Sequence, residues 1–121
     1  MDNRRIYLAS PYSAESAAVR QQRYEAVCAA AARMLAEGKI VFSPIAHSHP
    51  IAVAHDLPGD FAFWQRQCLS YLDAWATELW VLTLEGWEES CGVRAEIGYA
   101  RELGLPVFLM DEDGNLQRYA C

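Results

Sequence analysis

The chain has 121 residues, 53% of them apolar, and a net charge of −6. This length predicts a single domain over residues 1–121, and the aliphatic and aromatic side chains are sufficient for one core. The negative charge argues against a nucleic-acid polymer as partner, because neutralising phosphates needs a basic face.

No apolar run approaches the roughly 18 residues of a membrane span, and "MDNRRIYLAS" does not have the long apolar core of a signal peptide. The four cysteines, at positions 28, 68, 91 and 121, form no CxxC pair. Cys28 and Cys68 fall on apolar helix faces and are expected to be reduced thiols of the core. These features predict a cytoplasmic protein that does not bind membranes.

The first half of the chain divides into a strand, a helix, a strand and a loop. "RRIYLAS" predicts the first strand, and Ser13 is expected to cap a long helix that ends at Gly38. "KIVFSPI" predicts a second strand that stops at Pro44. Residues 46–59, "AHSHPIAVAHDLPG", contain two prolines and three histidines and are expected to form a loop.

The second half begins with a helix that Asp60 is expected to cap, and its apolar stripe contains Phe61, Trp64, Cys68, Leu72 and Trp75. "ELWVLTL" is almost wholly apolar, which is typical of a central parallel strand buried on both faces. A third helix follows "EGWEESCG" and ends at Gly104. "PVFLM" and "LQRY" predict the last two strands.

This alternation of strands and helices predicts a three-layer α/β domain with a mainly parallel sheet of about five strands. Such sheets bind ligands outside the carboxyl ends of their strands. Here those ends are "ASPYS", "SPIAHSH" and "EGWEESCG". The expected substrate-binding residues lie in these three segments: Ser10, Pro11, His47, Trp87, Ser90 and Gly92.

Glu96 lies one to two turns into the third helix, at the border of its apolar stripe. A helical Glu is ordinarily a solvated surface residue, but the first turns of this helix overlook the expected ligand crevice. Asp73 and Tyr7 also have ordinary explanations, as a solvated carboxylate and a core tyrosine. Ser90 fits a helix N-cap, and such a hydroxyl with free amides also makes a small pocket for an anion or hydroxyl.

The three histidines of residues 46–59 raise the question of a metal site. His47 and His49 form an HxH pair, but no third ligand follows at a diagnostic spacing. We therefore expect no metal and no cofactor, and we interpret the segment as polar chain that closes over a substrate.

"YLASPYS", Asp73 and "SCGVRAEIGYARELGLPV" (residues 90–107) together resemble the nucleoside 2-deoxyribosyltransferase-like superfamily. "SPIAHSHPIA" and "LEGWEESCGV" are similar to a bacterial branch of it. The superfamily includes nucleoside-monophosphate N-glycosidases. The resemblance implies a flavodoxin-like fold, a homo-oligomer and a small-molecule nucleoside or nucleotide as ligand.

The implied activity is hydrolysis or (deoxy)ribosyl transfer at an N-glycosidic bond. The resemblance implies that Glu96 attacks the anomeric carbon and forms a covalent glycosyl intermediate. Asp73 would bind sugar hydroxyls or assist the leaving base, and Tyr7 would orient Glu96. Ser90 and the Gly92 amide would hold the 5′ end of the substrate.

Two alternatives stay open at this point: a non-catalytic nucleotide-binding or sensing domain with the same pocket, and an NAD glycohydrolase. Relatives that act on 5′-monophosphates carry an Arg soon after the first strand, whereas the first Arg beyond that strand here is Arg20. A 5′-phosphate would therefore require Arg20 or Arg23 to reach in from the helix. The matching Glu, Asp and Tyr favour an enzyme.

Overall fold

The computed structural model describes residues 3–120. Within them the chain forms five strands, four α-helices and one 3₁₀ turn. In chain order they are β1 (Arg5–Ala9), α1 (Ala17–Ala36), β2 (Ile40–Phe42), α2 (Pro44–His55), α3 (Phe61–Ala74), β3 (Glu78–Leu82), the 3₁₀ turn (Trp87–Glu89), α4 (Cys91–Glu102), β4 (Val107–Met110) and β5 (Leu116–Arg118).

The five strands form one sheet in the order β2-β1-β3-β4-β5. β1 pairs in parallel with both β2 and β3, and β3 pairs in parallel with β4, while β5 is antiparallel to β4. The α/β class and the mainly parallel five-stranded sheet are therefore confirmed. Because the chain leaves β1 toward β2 and later returns to β3 on its other side, a crevice is expected at the carboxyl ends of β1 and β3.

Side chains alternate between the two faces of the sheet, as the two-residue period of a strand requires. One face packs against α1 in an apolar cluster that contains Ile6, Leu8, Val27, Ala30, Met34, Trp80 and Leu82. The other face packs against α3 and α4, in a cluster that contains Tyr7, Ala9, Cys68, Leu72, Leu79, Val81, Val93, Ile97 and Ala100. Only the second cluster includes a hydroxyl and a thiol at its centre.

The prediction of a loop over residues 46–59 is wrong for residues 46–55, because these residues are helical and belong to α2. Ser43 caps this helix, since its side chain accepts a hydrogen bond from the Ala46 amide at 3.1 Å. Pro44 occupies the first helical position, where no amide hydrogen is needed. The helix also accommodates Pro50, and it ends at Asp56 in the left-handed conformation (φ 53°).

Two of the three predicted helix caps need correction. Ser16, not Ser13, caps α1, and its Oγ accepts from the Val19 amide at 3.3 Å. The Ser13 hydroxyl instead donates to the Gly59 carbonyl at 3.2 Å. Asp60 is the N-cap residue of α3, but its side chain makes no capping hydrogen bond. Ser90 does cap α4, as predicted, by accepting from Val93.

Cys28, Cys68 and Cys91 are free thiols, and of these Cys68 is buried. Cys121 lies outside the described residues. Over residues 3–120, no helix has both the length and the apolar character that crossing a membrane would require.

Candidate functional site

A cavity of about 750 Å³ lies at the carboxyl edge of the sheet. Ser10, directly after β1, and Gly86, shortly after β3, border it, and α2, α3 and α4 supply its walls. It therefore occupies the crevice that the strand order predicts, and its volume is typical of a small-molecule site. Residues that line it include Ser10, Arg23, Ser48, His49, Phe61, Trp64, Gln65, Cys68, Ser90, Gly92 and Glu96.

The Glu96 carboxyl is a buried polar group in the wall of this cavity. Glu96 is only 4% exposed, yet it lines the cavity wall. Its Oε2 accepts a hydrogen bond from the hydroxyl of Tyr7, which lies 89 residues away in the sequence. Tyr7 is fully buried on β1 and reaches the site through this contact. The alternation of side chains along β1 and the helical spacing of α4 thus place the Tyr7 phenol and the Glu96 carboxyl together near the carboxyl ends of the strands.

Burial raises the pKa of the Glu96 carboxyl to about 8, and the hydrogen bond from Tyr7 offsets only part of this rise. In the described part of the chain, no Lys, Arg or His lies within ion-pair distance of this carboxyl. Burial, with the negative charge of Glu96, also raises the pKa of Tyr7 well above 10. Tyr7 therefore keeps its proton and acts as a hydrogen-bond donor to Glu96.

Cys68 adjoins the same pair from α3. Its thiol is buried in the same cluster as Tyr7, and burial followed by the Glu96 charge raises its pKa to about 12. Sequence periodicity identified Cys68 as a core residue, and it did not indicate a cavity wall. Core residues and cavity-lining residues of α3 have the same apolar spacing in the sequence, so only the position of α3 relative to the strand ends distinguishes them.

One face of α3 lines the cavity with Phe61, Trp64, Gln65 and Cys68. These positions are i, i+3, i+4 and i+7, which share one side of a helix. The Trp64 indole donates to the Pro58 carbonyl at 2.8 Å. Phe61 packs against Gly92 so closely that a Cβ there would lie 3.0 Å from the ring. Gly92 therefore lets the starts of α3 and α4 approach each other.

His49 of α2 lines the cavity and contacts three side chains, one from the segment after β1 and two from α1. Its Nδ1 lies 2.6 Å from the Tyr12 hydroxyl, and its Nε2 lies 2.9 Å from Oε1 of Gln21. Its ring stacks on Tyr24 at 4.2 Å. Because an amide oxygen only accepts, Nε2 carries the proton and Nδ1 accepts from Tyr12. Burial lowers the pKa of His49, which favours this neutral form.

Arg23, one of the two arginines that a 5′-phosphate would require, reaches the cavity from α1. Its guanidinium donates to the carbonyls of Ser13 at 2.9 Å and Glu85 at 3.2 Å. Arg20 instead donates to the carbonyls of Ala14 and Glu15, beside a neighbouring hollow. The Ser10 hydroxyl, buried at the cavity wall, makes no hydrogen bond to any described residue.

Asp73 does not join the other predicted catalytic residues. It is exposed near the end of α3, just before the amino end of β3, whereas the cavity lies at the carboxyl end of that strand. The structure brings Tyr7, Ser90 and Glu96 to the site, whereas Asp73 lies near the amino ends of the strands. The position of Asp73 therefore does not support the role that the resemblance implies for it, which is to bind sugar hydroxyls or assist the leaving base.

Three predicted substrate-binding residues also lie outside the cavity wall. Pro11 is buried behind it, and His47 is exposed on α2 with its ring 6.0 Å from that of Phe42. Trp87 packs against the core cluster and meets Tyr119 edge-to-face at 5.9 Å. The predicted Ser10, Ser90 and Gly92 do line the cavity. Among residues 3–120 no group of three His, Cys, Asp or Glu is placed to hold a metal ion.

The chain belongs to the family described as a domain of unknown function (DUF1937), which matches residues 4–112. No curated protein matches the sequence. The matched range runs from β1 through β4 and includes every residue that lines the cavity.

Proposed function

We propose that this member of the DUF1937 family is an N-glycoside hydrolase or (deoxy)ribosyltransferase that acts on a nucleoside or nucleotide, with Glu96 as its nucleophile. The observation that carries the proposal is the buried Glu96 carboxyl in the wall of a cavity of about 750 Å³. Burying such a group without a cation costs free energy, and groups of this kind cluster at functional sites. The resemblance to the nucleoside 2-deoxyribosyltransferase-like superfamily supports the same assignment.

We also propose a three-layer, flavodoxin-like arrangement for the domain. The strand order 2-1-3-4-5 is the flavodoxin-like order. The contacts of α1 with one sheet face and of α3 and α4 with the other support three layers. The antiparallel β5 is the departure from a fully parallel sheet.

In the proposed reaction, an ionised Glu96 oxygen forms a bond to the anomeric carbon while the bond from that carbon to the base nitrogen breaks. The base leaves with the bonding electron pair and accepts a proton. Water, or a second base, then attacks the anomeric carbon and gives up a proton to the group that protonated the first base, while the bond from that carbon to the Glu96 oxygen breaks and the carboxylate is restored. The negative charge of Glu96 stabilises the oxocarbenium-like transition states of both steps.

A proton donor for the departing base is needed, and the exposed position of Asp73 removes it from this role. Among the described residues, Asp60 and Glu89 bring the other carboxyl groups to the cavity wall. We assign the proton transfer to one of these two. Tyr7 stays protonated throughout and holds Glu96 in place.

The raised pKa of Glu96 gives the proposed reaction a pH dependence. With a pKa of about 8, roughly a tenth of the carboxyl is ionised at pH 7. Since only the ionised form is a nucleophile, base release should rise with pH and level off above the pKa.

A second candidate is a non-catalytic nucleotide-binding or sensing domain. Two observations favour it: Asp73 lies away from the cavity, and Glu96 is largely neutral at pH 7. A neutral carboxyl binds a sugar hydroxyl without attacking the anomeric carbon. NAD glycohydrolase activity would use the same Glu96 chemistry as the main proposal, so NAD belongs among the substrates to be tested.

The experiment is a chromatographic screen of nucleosides, nucleotides and NAD for released base, with wild-type protein and Glu96→Ala in parallel. Base release by the wild type that disappears in the variant supports the enzyme. Tight binding of one of these compounds without any cleavage supports the sensing domain. Release at an equal rate by both proteins contradicts the assignment of Glu96.

The homo-oligomer and the cytoplasmic location are likewise proposals, from the resemblance and from composition. Light scattering of the purified protein measures the first directly. A monomeric mass across the micromolar range would contradict it.

A further inference from the structure

We propose that the cavity-facing side of α3 is the binding surface for the nucleobase. This surface consists of Phe61, Trp64 and Gln65 and ends at Cys68. The inference rests on the proposed function for the kind of ligand. It goes beyond it by assigning the residues that hold the base and the base edge that they recognise.

The position of the surface relative to Glu96 suits a base. Cys68 is buried in the same cluster as Tyr7, which contacts Glu96, and Cys68 and Glu96 line the same cavity, so this end of the surface lies near the carboxyl that would attack the anomeric carbon. From Cys68 to Phe61 the helix rises roughly 10 Å. A base is one bond away from the anomeric carbon and therefore lies about one helical turn from Cys68, against Trp64 and Gln65.

The two aromatic rings are held before any ligand binds. The indole N–H of Trp64 is used on the Pro58 carbonyl at 2.8 Å, so the ring presents apolar surface to the cavity. Phe61 is held against Gly92. Fixed aromatic rings suit a planar aromatic ligand, because stacking then costs little side-chain entropy.

Gln65 supplies the polar recognition on this surface. No hydrogen bond to another residue within 3–120 engages its side chain, in contrast to Gln21, which binds His49 and Glu25. A carboxamide carries a donor and an acceptor side by side. It therefore complements a base edge with an adjacent donor and acceptor, as glutamine does with the amino group and ring nitrogen of adenine.

The test is calorimetric titration of the protein with adenine, hypoxanthine, cytosine and uracil, and with unsubstituted purine, which has no exocyclic group. We expect wild-type protein to bind at least one of the four substituted bases more tightly than purine. Trp64→Ala should weaken binding of all of them about 10-fold or more, because it removes stacking. Gln65→Leu should weaken the preferred base by a similar factor and change purine by less than about twofold.

Matched controls lie on the same helix outside the cavity wall. Tyr71→Ala removes an aromatic ring that is 36% exposed and stacks on Phe42, and Gln67→Leu removes an exposed carboxamide. Both should bind bases as the wild type does. Trp64→Leu, which keeps an apolar side chain without the aromatic ring, replaces Trp64→Ala where thermal unfolding shows that the alanine variant does not fold.

The proposal is overturned if no base binds wild-type protein at millimolar concentration, or if Gln65→Leu weakens purine and the preferred base equally. These outcomes are separate from failure of the proposed function. If the wild type binds bases as expected and Glu96→Ala still releases base, the assignment of this surface stands and the assignment of Glu96 as nucleophile fails.

Discussion

A buried glutamate lies near each end of the parallel strands, Glu78 at the start of β3 and Glu96 on α4, and the two have different surroundings. Glu78 begins β3 at the amino edge and is 6% exposed, while Glu96 lies at the carboxyl edge and is 4% exposed. Glu78 accepts a hydrogen bond from the Trp80 indole at 2.7 Å and lies 3.5 Å from the Arg4 guanidinium. Glu96 accepts from Tyr7, and its burial raises its pKa to about 8.

The difference lies in how the charge is compensated. A buried carboxylate beside a guanidinium forms an ion pair, which is a common structural arrangement. A buried carboxyl with one neutral donor retains its proton, and it ionises only at a cost in free energy. The second arrangement faces a cavity, and carboxyl groups whose pKa is raised in this way cluster at functional sites.

The largest expected effect separates the two glutamates by activity. Glu96→Gln keeps the shape of the side chain but removes the nucleophile, so the rate of base release should fall at least about a thousandfold. Glu78→Gln should keep wild-type activity per folded molecule, because that residue lies at the other edge of the sheet. Steady-state rates on a substrate from the screen, corrected for the folded fraction, measure both. An equal loss in the two variants would remove the distinction between them.

The next effect separates them by the pH dependence of stability. The folded pKa of Glu96, about 8, exceeds its usual 4.5. Below pH 4.5 both states are protonated. Between the two values the unfolded state is ionised while the folded state holds its proton, so stability falls as pH rises and levels off above pH 8.

Relative to Glu96→Gln, the wild type should lose about 2 to 4 kcal/mol of unfolding free energy between pH 5 and pH 8.5. Urea denaturation of both proteins across this range measures the difference, and the other titrating groups cancel. Glu78→Gln serves as the control for a buried glutamate at the other edge. A constant difference between the wild type and Glu96→Gln would mean that Glu96 has an ordinary pKa.

A smaller effect contrasts two histidines of α2, one at the site and one on the surface. His49→Ala removes two hydrogen bonds and a stacked ring, and should cost on the order of 2 kcal/mol of unfolding free energy. His47→Ala, at an exposed position, should change it by less than about 0.5 kcal/mol. Chemical denaturation of both variants tests this, and equal losses would show that the Tyr12–His49–Gln21 contacts do not anchor α2.

The smallest effect concerns Asp73, the carboxyl that the family resemblance places in the site. Because its side chain is exposed at the far edge of the sheet, Asp73→Asn should change base release by less than about twofold. The same kinetic assay compares it with Glu96→Gln. A tenfold or larger loss would show that Asp73 reaches the substrate in the active protein, for example from a second copy of the chain.

Sequence patterns predicted the strands, three of the four helices and the position of Glu96. Apolar periodicity marked each element, and Glu96 follows Val93 by one turn on a helix that starts at a strand end. The sequence did not predict α2, because Pro50 and Pro58 indicate a loop over residues 46–59 and the Ser43 cap is evident only in the structure. Local spacing cannot tell which sheet edge a helix end approaches, and this is why Asp73 was misplaced.

The sequence also did not predict which residues of α3 line the cavity. Phe61, Trp64 and Cys68 have the same spacing as Leu72, which is part of the core. The start of α3 lies beyond the carboxyl ends of the strands. For this reason the first part of its apolar stripe lines the cavity, while the rest packs in the core.

The central claim, that Glu96 is a nucleophile, is tested most directly by trapping its glycosyl ester. A 2′-fluoro analogue of a confirmed substrate destabilises the oxocarbenium-like transition states and slows release of the sugar from the enzyme. Intact-mass spectrometry of the wild type should then show one added fluorinated sugar, and peptide mapping should place it on Glu96. Turnover of the parent substrate with no adduct from the analogue, or an adduct on another residue, would contradict the account.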